Sequence, residues 1–279
     1  MDYNGLYQSV LRKKSFLCVG LDPDISQIPS FLKEREYPLF EFNKAIIDAT
    51  INYTVAYKPN TAFYEAEGAS GWKQLEMTVE YIKERDSSLF VIADAKRGDI
   101  GNTAERYAAA FFERMHCDAV TVAPYMGRDS AEAFLGCKDK WAIILALTSN
   151  KSAGDFEMCP VDREKTPLYR RVIESAMEWG SCDNLMFVVG ATRPEKLAEI
   201  RSFCPDHFLL VPGVGAQGGT VKDVVKYGIN SRCGLLINIS RDIIYAWKKT
   251  AGKDEKDFAL AAGEKAASVA AEMAGLLIG

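Results

Sequence analysis

The stretch Leu89-Phe-Val-Ile-Ala-Asp-Ala-Lys-Arg-Gly-Asp-Ile-Gly-Asn-Thr103 decides how the rest of the chain is read. Its apolar opening is the pattern of a strand buried on both faces. Four charges then follow within six residues: Asp94, Lys96, Arg97 and Asp99. Alternate side chains of a strand share a face, so Phe90, Ile92, Asp94 and Lys96 are expected to point the same way. That places a carboxylate beside an ammonium at the carboxyl end of a core strand. Asp99 falls in the following turn, and Asn102 with Glu105 has the form of a capping box opening the next helix. Taken alone, the pair also reads as a surface salt bridge next to an acidic helix start.

Working outward, the same strand-then-helix rhythm repeats. Strands are expected at Phe16–Asp22, Thr54–Lys58, Ala119–Ala123, Trp141–Thr148, Leu185–Val189, Phe208–Val211 and Leu235–Ile239. Helical stretches lie between them, at Leu39–Asn52, Gly71–Glu84, Thr103–Arg114, Ser130–Leu135, Leu168–Trp179, Pro194–Phe203 and Thr220–Tyr227. A helix at Tyr3–Lys13 precedes the set and an Ala-rich helix closes it. Alternation of this kind demands a parallel sheet. Eight units favour a closed (β/α)8 barrel, in a single domain over residues 1–279 with an extra N-terminal helix; an open doubly wound sheet is the alternative. The longest irregular loop, Lys151–Lys165, follows the fifth strand, either as a cover for the barrel mouth or as a plain insertion.

Composition narrows the function. A hydrophobic content of 48% in 279 residues is ample for a core of this size. A net charge of −4 and a pI near 5.5 argue against nucleic acid as the main partner. The polar opening MDYNGLYQSVLRKKS is no signal peptide, and no apolar run reaches the roughly 20 residues of a spanning helix. Seven scattered cysteines without a CxxC pair read as reduced thiols in a cytoplasmic protein, most of them buried and inert. The two histidines, His116 and His207, sit in contexts unlike a metal site and read as structural or solvent-facing.

Polar residues gather at the expected carboxyl ends of the strands: Asp22, Lys58, Asp94 with Lys96, Thr148-Ser149, Gln217 beyond Pro212-Gly213, and Ser240-Arg241. A (β/α)8 barrel carries its chemistry on that face. Any one of these residues also fits a cap or turn, but caps do not explain the set. Pro212-Gly-Val-Gly-Ala-Gln-Gly-Gly219 follows the seventh strand and opens a helix, so its backbone N–H groups are expected to face an anion. Arg241, after the eighth strand, offers paired charge-assisted bonds to phosphate oxygens.

These residues carry a resemblance. Ala93-Asp-Ala-Lys-Arg-Gly-Asp-Ile-Gly-Asn-Thr103 is similar to the signature of the orotidine 5′-phosphate decarboxylase family. Val19-Gly-Leu-Asp22, Lys58-Pro-Asn60, Leu147-Thr-Ser149, Pro212-Gly-Val-Gly-Ala-Gln217 and Ser240-Arg241 match in the expected order along nearly the whole chain. The loop Lys151–Lys165 and the segment Asp24–Pro38 are longer than compact members of that family need.

The resemblance implies a homodimeric barrel that converts orotidine 5′-monophosphate to uridine 5′-monophosphate and CO2 without metal or organic cofactor. It implies an alternating charge network of Lys58, Asp94, Lys96 and Asp99, with Asp99 reaching into the partner subunit's site. Asp22 and Lys58 would hold ribose hydroxyls, helped by Thr103 of the partner chain. Ser149 would bond the pyrimidine, Gln217 and Arg241 the phosphate, and Pro212 would line the pocket near the departing carboxylate.

Loss of CO2 from a ring carbon without an electron sink leaves a carbanion that water stabilises poorly. A fixed ammonium beside that carbon stabilises the developing charge and then delivers the proton. Two other readings stay open at this point. A metal-dependent sugar-phosphate lyase or epimerase would share the barrel and a similar array, but needs further oxygen ligands. A non-catalytic phosphate-binding barrel would have no use for a lysine among carboxylates.

Overall fold

The computed structural model describes residues 1–215 and 218–277. Eight parallel strands close into a barrel in sequence order: β1 (Leu17–Leu21), β2 (Ala56–Pro59), β3 (Phe90–Arg97), β4 (Ala119–Val122), β5 (Trp141–Leu147), β6 (Leu185–Val189), β7 (Phe208–Pro212) and β8 (Leu235–Ile239). Closure is made by β1 against β8, with Leu17 opposite Ile237 and Val19 opposite Ile239. The open-sheet alternative is thereby excluded.

Helices fill the crossovers: α1 (Tyr3–Lys13), α2 (Pro38–Thr50), α3 (Ala62–Glu65), α4 (Gly68–Arg85), α5 (Gly101–Ala109), α6 (Asp129–Leu135), α7 (Leu168–Met177), α8 (Pro194–Phe203), α9 (Val221–Gly228), α10 (Arg241–Ile244) and α11 (Phe258–Leu277). The strands are buried on both faces, as their continuous apolar runs require. Among the described residues no helix is long and apolar enough to cross a membrane.

Two local expectations fail, one just after β3 and one within its last residues. The chain enters α5 at Gly101, two residues earlier than expected, so Asn102 is already inside the helix and no side-chain cap forms. The reason is local: Gly101 adopts φ +55° at the turn, and the Asp99 carboxylate accepts the Ile100 N–H at 2.8 Å. Beyond Ala93 the register of β3 against β4 shifts, and Lys96 sits in the left-handed region at φ +47°. The expected alternation therefore ends before Lys96, although its side chain still returns to Asp94. At its other end α5 continues into a π-helical turn, Ala110–Arg114, in which the neighbouring Phe111 and Phe112 are both buried.

The amino-terminal face of the barrel is closed by α1. Asp2 caps it by accepting the Gly5 N–H at 2.8 Å, and Lys14 ends it in a left-handed turn. Its buried Tyr3, Leu6 and Val10 each contribute roughly 1.5–3 kcal/mol of apolar burial. Tyr3 packs on Phe208 at the start of β7, and the Trp141 indole N–H at the start of β5 donates to the Met1 carbonyl at 2.6 Å.

The floor is tied by Arg201. Its guanidinium donates to four backbone carbonyls: Gly228 and His207 at 2.6 Å, Gly234 at 2.5 Å and Cys204 at 3.2 Å. His207 packs on Phe187, and neither ring nitrogen has a hydrogen-bond partner among the described residues. His116 is exposed. All seven cysteines are free; four are buried and Cys159 is exposed.

Candidate active site

The opposite face holds the charges. Strand β2 delivers Lys58 and β3 delivers Asp94 from adjacent staves of the barrel. The Lys58 Nζ lies 2.6 Å from Asp94 Oδ2, and the Lys96 Nζ lies 2.6 Å from Asp94 Oδ1. One carboxylate thus bridges two ammonium groups. Lys58 is only 5% exposed, whereas the Lys96 side chain is half-exposed at the rim. Burial alone would raise the Asp94 carboxyl pKa, but the charges of Lys58 and Lys96 outweigh it and hold the group well below the ordinary carboxylate range. Burial would likewise depress Lys58, yet Asp94, with Asp22 behind it, holds its pKa above the usual amine value.

A cavity of 210 Å³ opens beside this array. Asp22, Lys58, Asn60, Asp94, Pro212 and Arg241 line it, with Gly213, Val214, Asn238, Ser240 and Asp242 completing the wall. Asp22, just past β1, accepts the Ser240 hydroxyl on Oδ2 at 2.7 Å, while its buried Oδ1 has no partner among the described residues. Gly20 makes this approach feasible, because a Cβ there would stand 2.6 Å from the Ser240 Cβ. Arg241 is exposed, and its guanidinium makes no ion pair with any described residue. Its neighbour Asp242 is held by Lys249 at 2.5 Å.

The glycine-rich loop is partly closed on itself among the described residues. Three of its N–H groups bond within the loop, from Gly215 to the Gly219 carbonyl, from Gly218 to Gly215 and from Gly219 to Gly213. These three N–H groups face carbonyls of the loop itself. The helix that follows is capped by the Thr220 hydroxyl, which accepts the Asp223 N–H. Gln217 lies outside the described residues.

The cavity therefore gathers Asp22, Lys58, Asp94, Pro212 and Arg241, and Lys96 joins through Asp94. Asp99, Thr103 and Ser149 are not part of its wall. Asp99 sits in the β3–α5 turn and Thr103 is exposed on α5. Ser149 follows β5, close to Gly190, where a Cβ would come within 2.8 Å of it. The long loop after β5 is fastened to that strand's end: the Glu157 carboxylate accepts both the Thr148 N–H and its hydroxyl at 2.7 Å.

Sequence reading quoted Asn60 within a motif but gave it no role, and it missed Asn238 and Asp242 in the cavity wall. Asn60 had a signal, since it stands two residues beyond Lys58 and bridges to Asp94. Thr121 of β4 was missed too. Its hydroxyl accepts the Lys96 N–H at 2.9 Å and donates to Asp94 Oδ1 at 3.0 Å.

Against this geometry stand the comparisons with known proteins. Residues 15–253 match the model of the orotidine 5′-phosphate decarboxylase / HUMPS family. The chain belongs to that family. It is 56% identical over 272 residues to the orotidine 5′-phosphate decarboxylase of Flavobacterium johnsoniae, covering 98% of this chain and 97% of the relative. To that of Bacteroides fragilis it is 52% identical over 274 residues, covering 98% and 97%. Among solved structures, the OMP decarboxylase of Leishmania donovani superposes with a TM-score of 0.84 at 33% identity, over the full length of both chains.

Proposed function

We propose that this chain decarboxylates orotidine 5′-monophosphate, giving uridine 5′-monophosphate and CO2 in pyrimidine biosynthesis, with residues 1–279 acting as one barrel domain. The observation that carries the reading is the Lys58–Asp94–Lys96 array beside a cavity at the carboxyl ends of the strands, in a chain of this family. Lys96 stabilises the negative charge that develops on the ring carbon as CO2 leaves, then protonates that carbon. Asp94 holds Lys96 in place and Lys58 fixes Asp94. Asp22 and Lys58 take ribose hydroxyls, the unpartnered Asp22 Oδ1 being the free acceptor. Arg241, with Gln217, takes the phosphate; Pro212 lines the pocket and Ser149 bonds the pyrimidine. The route draws on no metal or organic cofactor. The test is direct: purified protein with orotidine 5′-monophosphate should show the loss of orotate absorbance, and an unchanged spectrum refutes the reading.

The active unit is a homodimer in which each site takes Asp99 and Thr103 from the other chain. Supporting this, Asp99 is absent from the cavity wall of its own chain, and the apolar side chains of Ile100, Tyr125 and Met126 are 49%, 93% and 47% exposed on the loops after β3 and β4. Lys96→Ala and Asp99→Ala should each be nearly inactive alone. Mixed in equal amounts with full subunit exchange, half the dimers are heterodimers with one intact site of two, so activity should return to about a quarter of wild type. Exchange without recovery would place Asp99 in its own chain's chemistry.

A further inference from the structure

Between Ala93 and Arg97 the β3 strand advances four residues while its partner β4 advances only from Val120 to Val122. The excess is taken up by a bulge, and Lys96 adopts a left-handed backbone that sterics disfavour for any residue with a Cβ. A bulge of this kind strips local N–H groups of their ladder partners. At Lys96 the missing carbonyl is replaced by a side chain: the N–H donates to Thr121 Oγ1 at 2.9 Å. The same oxygen carries a proton of its own, directed to Asp94 Oδ1 at 3.0 Å. That carboxylate oxygen is the one that binds the Lys96 ammonium. Thr121 is 1% exposed, so water does not substitute for either bond. Below the bulge the ladder is regular, and above it the Ala123 N–H returns to the Arg97 carbonyl at 2.8 Å.

We propose that Thr121 is a positioning residue of the charge array. Its single hydroxyl fixes both the backbone from which Lys96 springs and the carboxylate on which the Lys96 ammonium rests. It thereby sets where that ammonium stands over the cavity. A threonine that merely filled the bulge would need its volume and not its hydroxyl. The proposal rests on the decarboxylase reading for the role of Lys96, not for the geometry.

Thr121→Val keeps the volume and removes the hydroxyl, and Thr121→Ser keeps the hydroxyl and removes a methyl. A reacting group displaced by about 1 Å loses on the order of 100-fold in rate. Thr121→Val should therefore lower kcat by about that factor while the affinity for uridine 5′-monophosphate stays near wild type. Thr121→Ser should retain most of kcat. In a crystal structure of Thr121→Val, the Lys96 Nζ should no longer lie within hydrogen-bond distance of Asp94 Oδ1. A wild-type kcat in Thr121→Val, or equal losses in the Ser and Val variants, would overturn the proposal. If Thr121→Val does not fold, Thr121→Ser against Thr121→Ala carries the same comparison, equal losses again overturning it. Should the wild-type chain release no CO2, the decarboxylase reading fails. Thr121 is then judged on the crystal structure alone, where an unmoved Lys96 overturns it.

Discussion

Two cations at opposite ends of the barrel are satisfied in opposite ways. At the mouth, Lys58 meets the Asp94 carboxylate at 2.6 Å, inside a network that extends to Lys96. At the floor, Arg201 meets four carbonyls and no carboxylate among the described residues. Full charges facing each other create a strong local field, and a substrate reads that field. Neutral carbonyls around a planar guanidinium create little field, but they join the end of α8, the end of α9 and the turns before β7 and β8. Burial lowers the Arg201 pKa, whereas Lys58 is held above its ordinary value by its carboxylates. The mouth is thus built for chemistry and the floor for cohesion, and substitutions should separate the two.

The largest separation is expected at Lys96. Lys96→Ala removes the cation and the proton donor together and should lower kcat on the order of 10³-fold, positioned acid–base groups alone contributing ~10²–10⁴-fold. The side chain is 49% exposed, so thermal unfolding should scarcely move. Retention of more than about a hundredth of wild-type turnover would remove Lys96 from the chemistry. Arg201→Leu should do the reverse. It leaves buried carbonyls without a donor and should destabilise the fold by about 3 kcal/mol in denaturant titration, with kcat per folded molecule unchanged. A fall in kcat at full folding would erase the distinction between the two ends.

Arg241 sharpens the comparison within the mouth. Arg241→Ala should weaken binding of the nucleotide by about 1.5–3 kcal/mol, the value of a charge-assisted bond, and leave the bare nucleoside nearly unaffected. Equal losses in calorimetric titrations of both ligands would place Arg241 away from the phosphate.

The smallest effect belongs to His207 at the floor. Burial, and then the Arg201 charge, lowers its pKa to about 4, below the ~6.5 of a free imidazole. The unfolded chain therefore binds a proton that the folded chain refuses. Stability from the neutral ring is complete above about pH 6.5 and is lost as the pH falls toward 4. His207→Leu should flatten the pH dependence of Tm across that window. An unchanged slope would assign acid sensitivity to other groups.

How much of this was legible in the sequence follows from what each feature depends on. The strands were legible because burial on both faces writes itself as unbroken apolar runs, as in Leu185–Val189. The Asp94–Lys96 pair was legible from charges breaking such a run. The bulge beneath it was not, because two-residue alternation assumes a constant register, and nothing in Ala93–Arg97 announces the shift. Thr121 stayed hidden because Ala119-Val-Thr-Val-Ala123 reads as an ordinary strand in which threonine is at home. The capping box at Asn102 and Glu105 failed because Gly101 permits an earlier turn, an option that a spacing rule does not weigh. Arg201 was invisible since its partners are backbone carbonyls, which carry no residue identity.

Closure of the sheet reaches beyond the site. With β8 paired to β1, every strand has a neighbour on each side, so the barrel offers no edge on which another chain could add a strand. Any second copy would have to be recognised through side chains on loops and helices, not through an added strand. Recognition written in side chains is open to revision one residue at a time, without disturbing any ladder hydrogen bond. Which chains associate and whether the chain folds are therefore separable traits, free to change independently.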